Sequence, residues 1–185
     1  MKSWTGIKNA KKIYHFLKYF ILRPKLKPFT LLPFTAMRDS LTGSFSYGKF
    51  IFDVKNNKLL RYNYLLDINN FGLINDQMGP IDASNCLSIY IDKLKRQWSS
   101  TVIQIYRIGG DEFLISCKRE LPDEQLEKSF SIRANNRLIN VNSCAVFVDL
   151  PCRGKISFED EFKYSFQQLK VKKRKVNTDD LSICK

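Results

Sequence analysis

A β-hairpin is indicated by residues 106–115, Tyr106-Arg107-Ile108-Gly109-Gly110-Asp111-Glu112-Phe113-Leu114-Ile115. Residues 102–106 are mostly β-branched or aromatic, and residues 112–116 alternate polar and apolar side chains, as strands do. Gly109 and Gly110 stand between these strands and can adopt the positive φ values that a two-residue hairpin turn requires. The stretch therefore predicts an antiparallel hairpin that carries two carboxylates, Asp111 and Glu112, at its tip.

The composition predicts one folded domain with a short extension, because the 185 residues are 44% apolar and 13% aromatic. Five cysteines without a Cys-x-x-Cys pair, and a single histidine, His15, exclude a zinc site of the usual spacing. The apolar run Tyr14–Leu22 is interrupted by Lys18 and is too short to span a bilayer. We therefore expect a cytoplasmic chain.

The net charge of +13 is concentrated at the two ends of the chain. Residues 1–38 contain nine Lys or Arg and no Asp or Glu, and residues 163–185 carry a net charge of +5. Apolar residues at helical spacing predict a basic amphipathic helix at Ile7–Leu22. Two interpretations remain open for it: a packing or dimerisation helix with solvated lysines, or a helix that binds a partner protein or an anionic membrane surface, with nucleic acid the less expected ligand.

Helices and strands alternate along the rest of the chain. The patterns predict an α+β or mixed α/β fold, with an antiparallel hairpin at its centre. The predicted helices are Phe45–Asn57, Phe71–Met78, Cys86–Trp98, Leu121–Phe130 and Phe158–Lys173; the predicted strands outside the hairpin are Leu59–Asp67 and Arg137–Val148.

Three motifs point to one family when they are taken together. They are Asp39-Ser40-Leu41-Thr42-Gly43; Asp67-Ile68-Asn69-Asn70-Phe71 with Asn75 and Gly79; and Arg107-Ile108-Gly109-Gly110-Asp111-Glu112-Phe113. In order and spacing this set resembles the GGDEF domain of diguanylate cyclases. The resemblance implies a palm-like nucleotidyl-cyclase domain with a central, mostly antiparallel sheet flanked by helices. It divides the chain into a basic helix and Pro-rich connector at 1–38, the GGDEF domain at 39–176 and a tail at 177–185.

The resemblance also implies an activity, the condensation of two GTP molecules into cyclic di-GMP and pyrophosphate by a homodimer. The 3′-hydroxyl of one nucleotide attacks the α-phosphate of the other, a reaction that uses divalent cations such as Mg²⁺ or Mn²⁺. By similarity, Asp67, the carbonyl of Ile68 and Asp111 would bind the metal, since Mg²⁺ prefers oxygen ligands. Glu112 would assist in metal binding or proton removal.

The substrate-binding residues follow from the same resemblance. Asn75 and Ser84 would contact the purine base, and Gly109 and Gly110 would let the backbone approach the phosphates. Lys170 and Arg174 match the spacing of a basic pair that binds the terminal phosphate on one helix face. The neighbouring cations Lys172, Lys173 and Lys175 leave the register of this pair open.

The sequence departs from the family pattern around the nucleotide. Asn69 replaces the second Asp of the Asp-x-Asp motif, Gly72 replaces a Lys, and Ser84 replaces an Asp that reads guanine. A hydroxyl both donates and accepts, so Ser84 is compatible with adenine as well as guanine and with a cyclic GMP-AMP product. The other interpretations are that Asp82 substitutes for the missing Asp or that the base pocket has decayed. The inhibitory Arg-x-x-Asp motif is absent at 100–103, so feedback there is not expected.

Three hypotheses result from these observations. The first is an active cyclase, which the intact Gly-Gly-Asp-Glu-Phe sequence and Asp67 favour. The second is a catalytically weak domain that binds GTP and regulates a partner, which Asn69, Gly72 and Ser84 favour. The third is an adaptor on a borrowed fold whose basic ends bind a membrane surface or nucleic acid.

Overall fold

The computed structural model describes residues 37–98, 103–134, 137–150 and 157–182. The predicted N-terminal helix at residues 7–22 lies outside these ranges. In chain order the elements are α1 (Tyr47–Lys55), β1 (Tyr62–Ile68), α2 (Phe71–Met78), α3 (Pro80–Gln97), β2 (Ile103–Arg107), β3 (Glu112–Cys117), α4 (Asp123–Leu126), β4 (Phe130–Ala134), β5 (Arg137–Val141), β6 (Ser143–Val148) and α5 (Phe158–Ser182). Within the described part of the chain, no helix is both long and apolar enough to cross a membrane.

Four strands form the central sheet in the order β2-β3-β1-β6, and every neighbouring pair is antiparallel. Strands β4 and β5 form a separate two-stranded hairpin. Helices pack on both faces of the central sheet. The predicted α+β class with a central antiparallel sheet is confirmed.

The two faces of the sheet build two hydrophobic cores, because successive side chains of a strand point in opposite directions. Leu66 of β1 belongs to the core that contains Tyr90 and other residues of α3. Its neighbour Leu65 belongs to the other core, with Phe50 of α1 and Phe162 of α5. Helices α1 and α5 therefore cover one face of the sheet, and α3 covers the other.

The hairpin predicted around Gly109 and Gly110 is present, but its turn differs from the prediction. Strand β2 ends at Arg107 and β3 begins at Glu112, so four residues connect them rather than two. Neither glycine has a positive φ. The carbonyl oxygen of Glu112 instead accepts two hydrogen bonds, from the amides of Ile108 at 3.0 Å and Gly109 at 3.2 Å. The longer loop replaces the two-residue turn.

Helix α1 is shorter than the predicted span of residues 45–57. Phe45 does not enter it because its backbone pairs with β2, donating to the carbonyl of Ile105 at 2.7 Å and accepting from the amide of Arg107 at 2.8 Å. The helix begins at Tyr47 after Ser46, whose side chain accepts a hydrogen bond from the amide of Lys49. Ser46 is therefore an N-cap.

The predictions between residues 121 and 148 were partly wrong. Helix α4 covers only Asp123–Leu126, and Phe130, predicted to end a helix, begins strand β4, where its ring packs on Tyr90. The predicted strand Arg137–Val148 is two strands, interrupted at Asn142, whose carbonyl accepts a hydrogen bond from the amide of Asn69. This hydrogen bond joins the break between β5 and β6 to the segment that follows β1.

Two helices are longer than predicted. Helix α3 begins at Pro80 rather than Cys86, since proline is well suited to the first turn of a helix. Helix α5 continues from Phe158 to Ser182 and not only to Lys173.

Candidate functional site

Three acidic residues predicted for the site meet at one end of the central sheet. Asp67 near the end of β1 lies directly opposite Glu112 at the start of β3. The amide of Ile68 donates to the carbonyl oxygen of Asp111 at 3.1 Å. We call Asp67, Asp111 and Glu112 the acidic cluster.

The alternation of the strands directs part of this cluster toward helix α5. Leu65 precedes Asp67 by two positions and Leu114 follows Glu112 by two, and both leucines belong to the core that contains Leu169 of α5. Residues two apart on a strand share a face. Asp67 and Glu112 therefore lie on the face of the sheet that α5 covers.

Lys173 of α5 contacts this end of the sheet, which the sequence analysis did not predict. Its Nζ lies 2.5 Å from Oδ1 of Asp67 and 3.2 Å from the carbonyl oxygen of Ile68. A signal for this contact is present in the sequence: Phe162, Leu169 and Lys173 follow helical spacing, and the first two are buried against the sheet. Lys173 is the polar continuation of that stripe.

Burial raises the pKa values of all three carboxyl groups of the acidic cluster, and repulsion from neighbouring carboxylates adds to the rise at Asp67 and Glu112. Burial, followed by the charges of Asp67 and Asp111, raises the pKa of Glu112 to about 7. Burial also raises the pKa values of Asp67 and Asp111, and the ammonium of Lys173 opposes that rise in both. The site thus favours cations and holds one carboxyl group that can exchange a proton near neutral pH.

Arg107 fixes the loop that carries Asp111. Its guanidinium donates to the carbonyl oxygens of Gly109 and Gly110, the shortest of these bonds being 2.6 Å, and pairs with Asp39 at 3.1 Å. The carboxylate of Asp39 also accepts from the amide and hydroxyl of Thr42. The first motif of the sequence is thereby joined to the hairpin.

A side chain at position 109 would crowd Glu112. A Cβ atom added there would lie 3.0 Å from Cδ and 3.2 Å from Cβ of Glu112 and would overlap its carboxylate. A Cβ atom at Gly110 would meet nothing within 4 Å.

The oxygen atoms at this end of the sheet fit a divalent cation in their chemistry. Asp67 and the carbonyl of Ile68 already share one positively charged group, Lys173. The buried Oδ1 of Asn69 has no hydrogen-bond partner among the described residues. Among those residues, no three His, Cys, Asp or Glu side chains converge closely enough to hold a metal ion by themselves. A bound Mg²⁺ would therefore need carbonyl, water or phosphate ligands as well, as is common for this ion.

The predicted substrate-binding residues lie on three helices. Asn75 of α2 and Ser84 of α3 are half-buried, and the two helices are joined at Gly79, which has a φ of 82°. No hydrogen bond or ion pair between described residues connects either side chain to the acidic cluster. Lys170 and Arg174 are exposed on α5, and the charge of Lys170 partly opposes the rise in the pKa values of Asp67 and Glu112.

Solved structures with the same fold include GGDEF domains and diguanylate cyclases. The GGDEF domain of DgcB from Caulobacter crescentus, in complex with c-di-GMP, is 18% identical, has a TM-score of 0.60 and aligns over 78% of this chain and 94% of its own. A diguanylate cyclase/phosphodiesterase from Caldicellulosiruptor saccharolyticus is 19% identical, with a TM-score of 0.55 over 79% of this chain and 90% of its own.

A third structure is longer than this chain. The diguanylate cyclase SiaD from Pseudomonas aeruginosa, in complex with its activator SiaC, is 13% identical, with a TM-score of 0.56 over 92% of this chain and 66% of its own. No protein-family model and no curated protein matches the sequence. These likenesses confirm the resemblance to GGDEF domains as a likeness of fold.

Proposed function

We propose that this chain, which has the fold of GGDEF domains, is a divergent diguanylate cyclase that condenses two GTP molecules into cyclic di-GMP. The observation that supports the proposal most strongly is the meeting of Asp67, Ile68 and the loop of Asp111 at one end of the sheet. Two nucleotides bound by two copies of the domain would then face each other across a homodimer.

In the proposed reaction the chain binds, orients and exchanges protons. Each 3′-hydroxyl loses a proton as its oxygen attacks the α-phosphorus of the opposite nucleotide, and each attack releases one pyrophosphate. Glu112, whose pKa is raised to about 7, would accept that proton directly or through water. Asp67, Asp111 and the carbonyl of Ile68 would hold Mg²⁺ or Mn²⁺, which neutralises phosphate charge when bound. Lys170 and Arg174 would bind the terminal phosphate.

The base and phosphate contacts of the nucleotide are further parts of this proposal. Asn75 and Ser84 would hydrogen-bond the purine, and the loop of Gly109 and Gly110 would approach the phosphates through its backbone. A serine at position 84 leaves both guanine and adenine acceptable, so cyclic GMP-AMP would be a second product.

A second candidate is a GTP-binding regulatory domain with little turnover. The contact of Lys173 with Asp67 and Ile68 favours it, because a lysine ammonium there competes with a metal ion for the same oxygens. Gly72 favours it as well, since the residue is exposed and supplies no phosphate contact.

Incubation of the purified chain with GTP, ATP or both, together with Mg²⁺ or Mn²⁺, tests these proposals. Mass spectrometry of the products should detect cyclic di-GMP from wild type and none from a folded Asp111→Ala variant. Loss of a mixed GMP-AMP product in Ser84→Asp would support relaxed purine choice. Absence of any cyclic dinucleotide at concentrations where the protein is dimeric would refute the cyclase, and GTP binding under those conditions would support the regulatory domain.

A further inference from the structure

Helix α5 is attached to the body of the domain by two adjacent lysines with different partners. Lys172 pairs with Asp123 at 2.9 Å and with Glu127 at 2.7 Å, and it donates to the carbonyl oxygen of Ala145 at 3.1 Å. Lys173 contacts Asp67 and the carbonyl of Ile68 instead. The attachment of the helix end through Lys172 therefore does not depend on Lys173.

The acceptors of Lys173 are oxygens that are well suited to a metal ion. The side chain of Asp67 is 15% exposed and that of Lys173 is 23% exposed, so the pair is largely shielded from water. Without this ammonium, less positive charge would offset the repulsion among the buried carboxylates of the acidic cluster. Lys173 thus supplies the positive charge that this end of the sheet requires.

A divalent cation cannot share those oxygens with the ammonium at its present position. Nζ stands within hydrogen-bond distance of both, and a cation bound to the same atoms would lie beside a like charge. The ammonium of Lys173 is at the end of a long, flexible side chain. It can therefore move away from these oxygens while Lys172 keeps α5 in place.

We propose that Lys173 is an intramolecular counter-cation that closes the metal site, and that a divalent cation enters by displacing it. The inference rests on the proposed function, since it concerns the metal that a cyclase would use. It makes metal affinity a property of α5 as well as of the acidic cluster. Binding of the metal then requires the release of one contact made by this helix.

Direct binding of Mn²⁺, measured by electron paramagnetic resonance without nucleotide, tests the proposal. Lys173→Met should bind Mn²⁺ about tenfold more tightly than wild type, a difference of about 1.4 kcal/mol. Lys163→Met is the matched control, because it removes the same charge from an exposed position on the same helix and should leave the affinity near that of wild type.

A measurement on wild type makes the test independent of how the variant folds. Acetylation with an amine-reactive reagent, followed by peptide mass spectrometry, should label Lys173 slowly without metal and faster when Mg²⁺ is added, while labelling of Lys172 stays unchanged. Equal Mn²⁺ affinity of wild type and Lys173→Met, or metal-independent labelling of Lys173, would overturn the inference and leave the proposed function standing. If neither wild type nor Lys173→Met binds Mn²⁺, even with GTP present, both this inference and the proposed cyclase function would be refuted.

Discussion

The Glu112 carboxylate occupies the space beside Gly109, where any other residue would place its Cβ atom. The Cβ of any other residue at 109 would overlap that carboxylate, whereas position 110 is open. Because neither glycine has a positive φ, the constraint at 109 is steric rather than conformational. A side chain at 109 would therefore displace the Glu112 carboxylate, the group whose pKa is raised to about 7.

Gly109→Ala and Gly110→Ala form a matched pair that tests this assignment. Gly109→Ala should lower the free energy of unfolding by about 1 kcal/mol, since crowding of this kind must be relieved by moving Glu112. Gly110→Ala should be neutral or stabilise the protein by up to about 1 kcal/mol, because alanine reduces the entropy of the unfolded chain. Urea denaturation measures both changes, and equal stability of the two variants would contradict the steric role.

The sequence predicted the residues of the acidic cluster but not the cation beside it. Asp67, Asp111 and Glu112 stand in recognisable motifs, and the structure brings them together at the sheet end. Five Lys or Arg occur within residues 170–175, so motif spacing alone could not determine which of them faces inward. The decisive information is the orientation of the helix, which its buried residues Phe162 and Leu169 establish.

Tyr90 connects helix α3 to strand β6 and to the segment after α4. Its hydroxyl is fully buried and lies 2.7 Å from both the Lys128 carbonyl oxygen and Oγ of Ser143. Ser143 in turn donates to the carbonyl oxygen of Leu126 at 2.8 Å. One hydroxyl thus joins α3, β6 and the segment after α4.

Tyr90→Phe should lower the free energy of unfolding by about 1–2 kcal/mol, because it removes the hydroxyl that partners these buried groups while keeping the ring. Tyr164→Phe is the control, since Tyr164 is 57% exposed and should change the stability by less than about 0.5 kcal/mol. Chemical denaturation of both variants provides the measurement. Comparable losses in the two variants would show that the buried hydroxyl contributes nothing specific.

Elements were predicted correctly where local pattern and tertiary pairing agree. Helix α2 matches its predicted span, Phe71–Met78, and the strands around Gly109 form the expected hairpin. Phe45 and Phe130 were assigned to helices, but both are extended: Phe45 pairs with β2, far along the chain, and Phe130 pairs with Val141 of the next strand. The pairing of Phe45 depends on distant residues that local periodicity cannot reveal, whereas Phe130 lies in a hairpin of consecutive strands.

The central sheet separates two cores, and the candidate site lies at one end of it. Asp67 and Glu112 share the face covered by α5, whereas the predicted base-binding residues Asn75 and Ser84 are on α2 and α3. A single domain would present one nucleotide at this end, and the proposed product contains two. The proposed reaction would therefore need two domains, each presenting one nucleotide.

The rate of product formation should accordingly rise more than twofold when the protein concentration is doubled below the dimerisation range. The rate per chain should rise until dimerisation is complete and then level off, because two bound nucleotides must meet across two domains. The test is to measure cyclic di-GMP formation over a dilution series of the protein. Light scattering gives the molecular mass of the protein at each concentration. Excess Asp111→Ala protein should lower the yield per wild-type chain, since mixed dimers would contain one inactive site. A constant rate per chain across the monomer–dimer transition would show that this fold does not carry out the reaction as a pair.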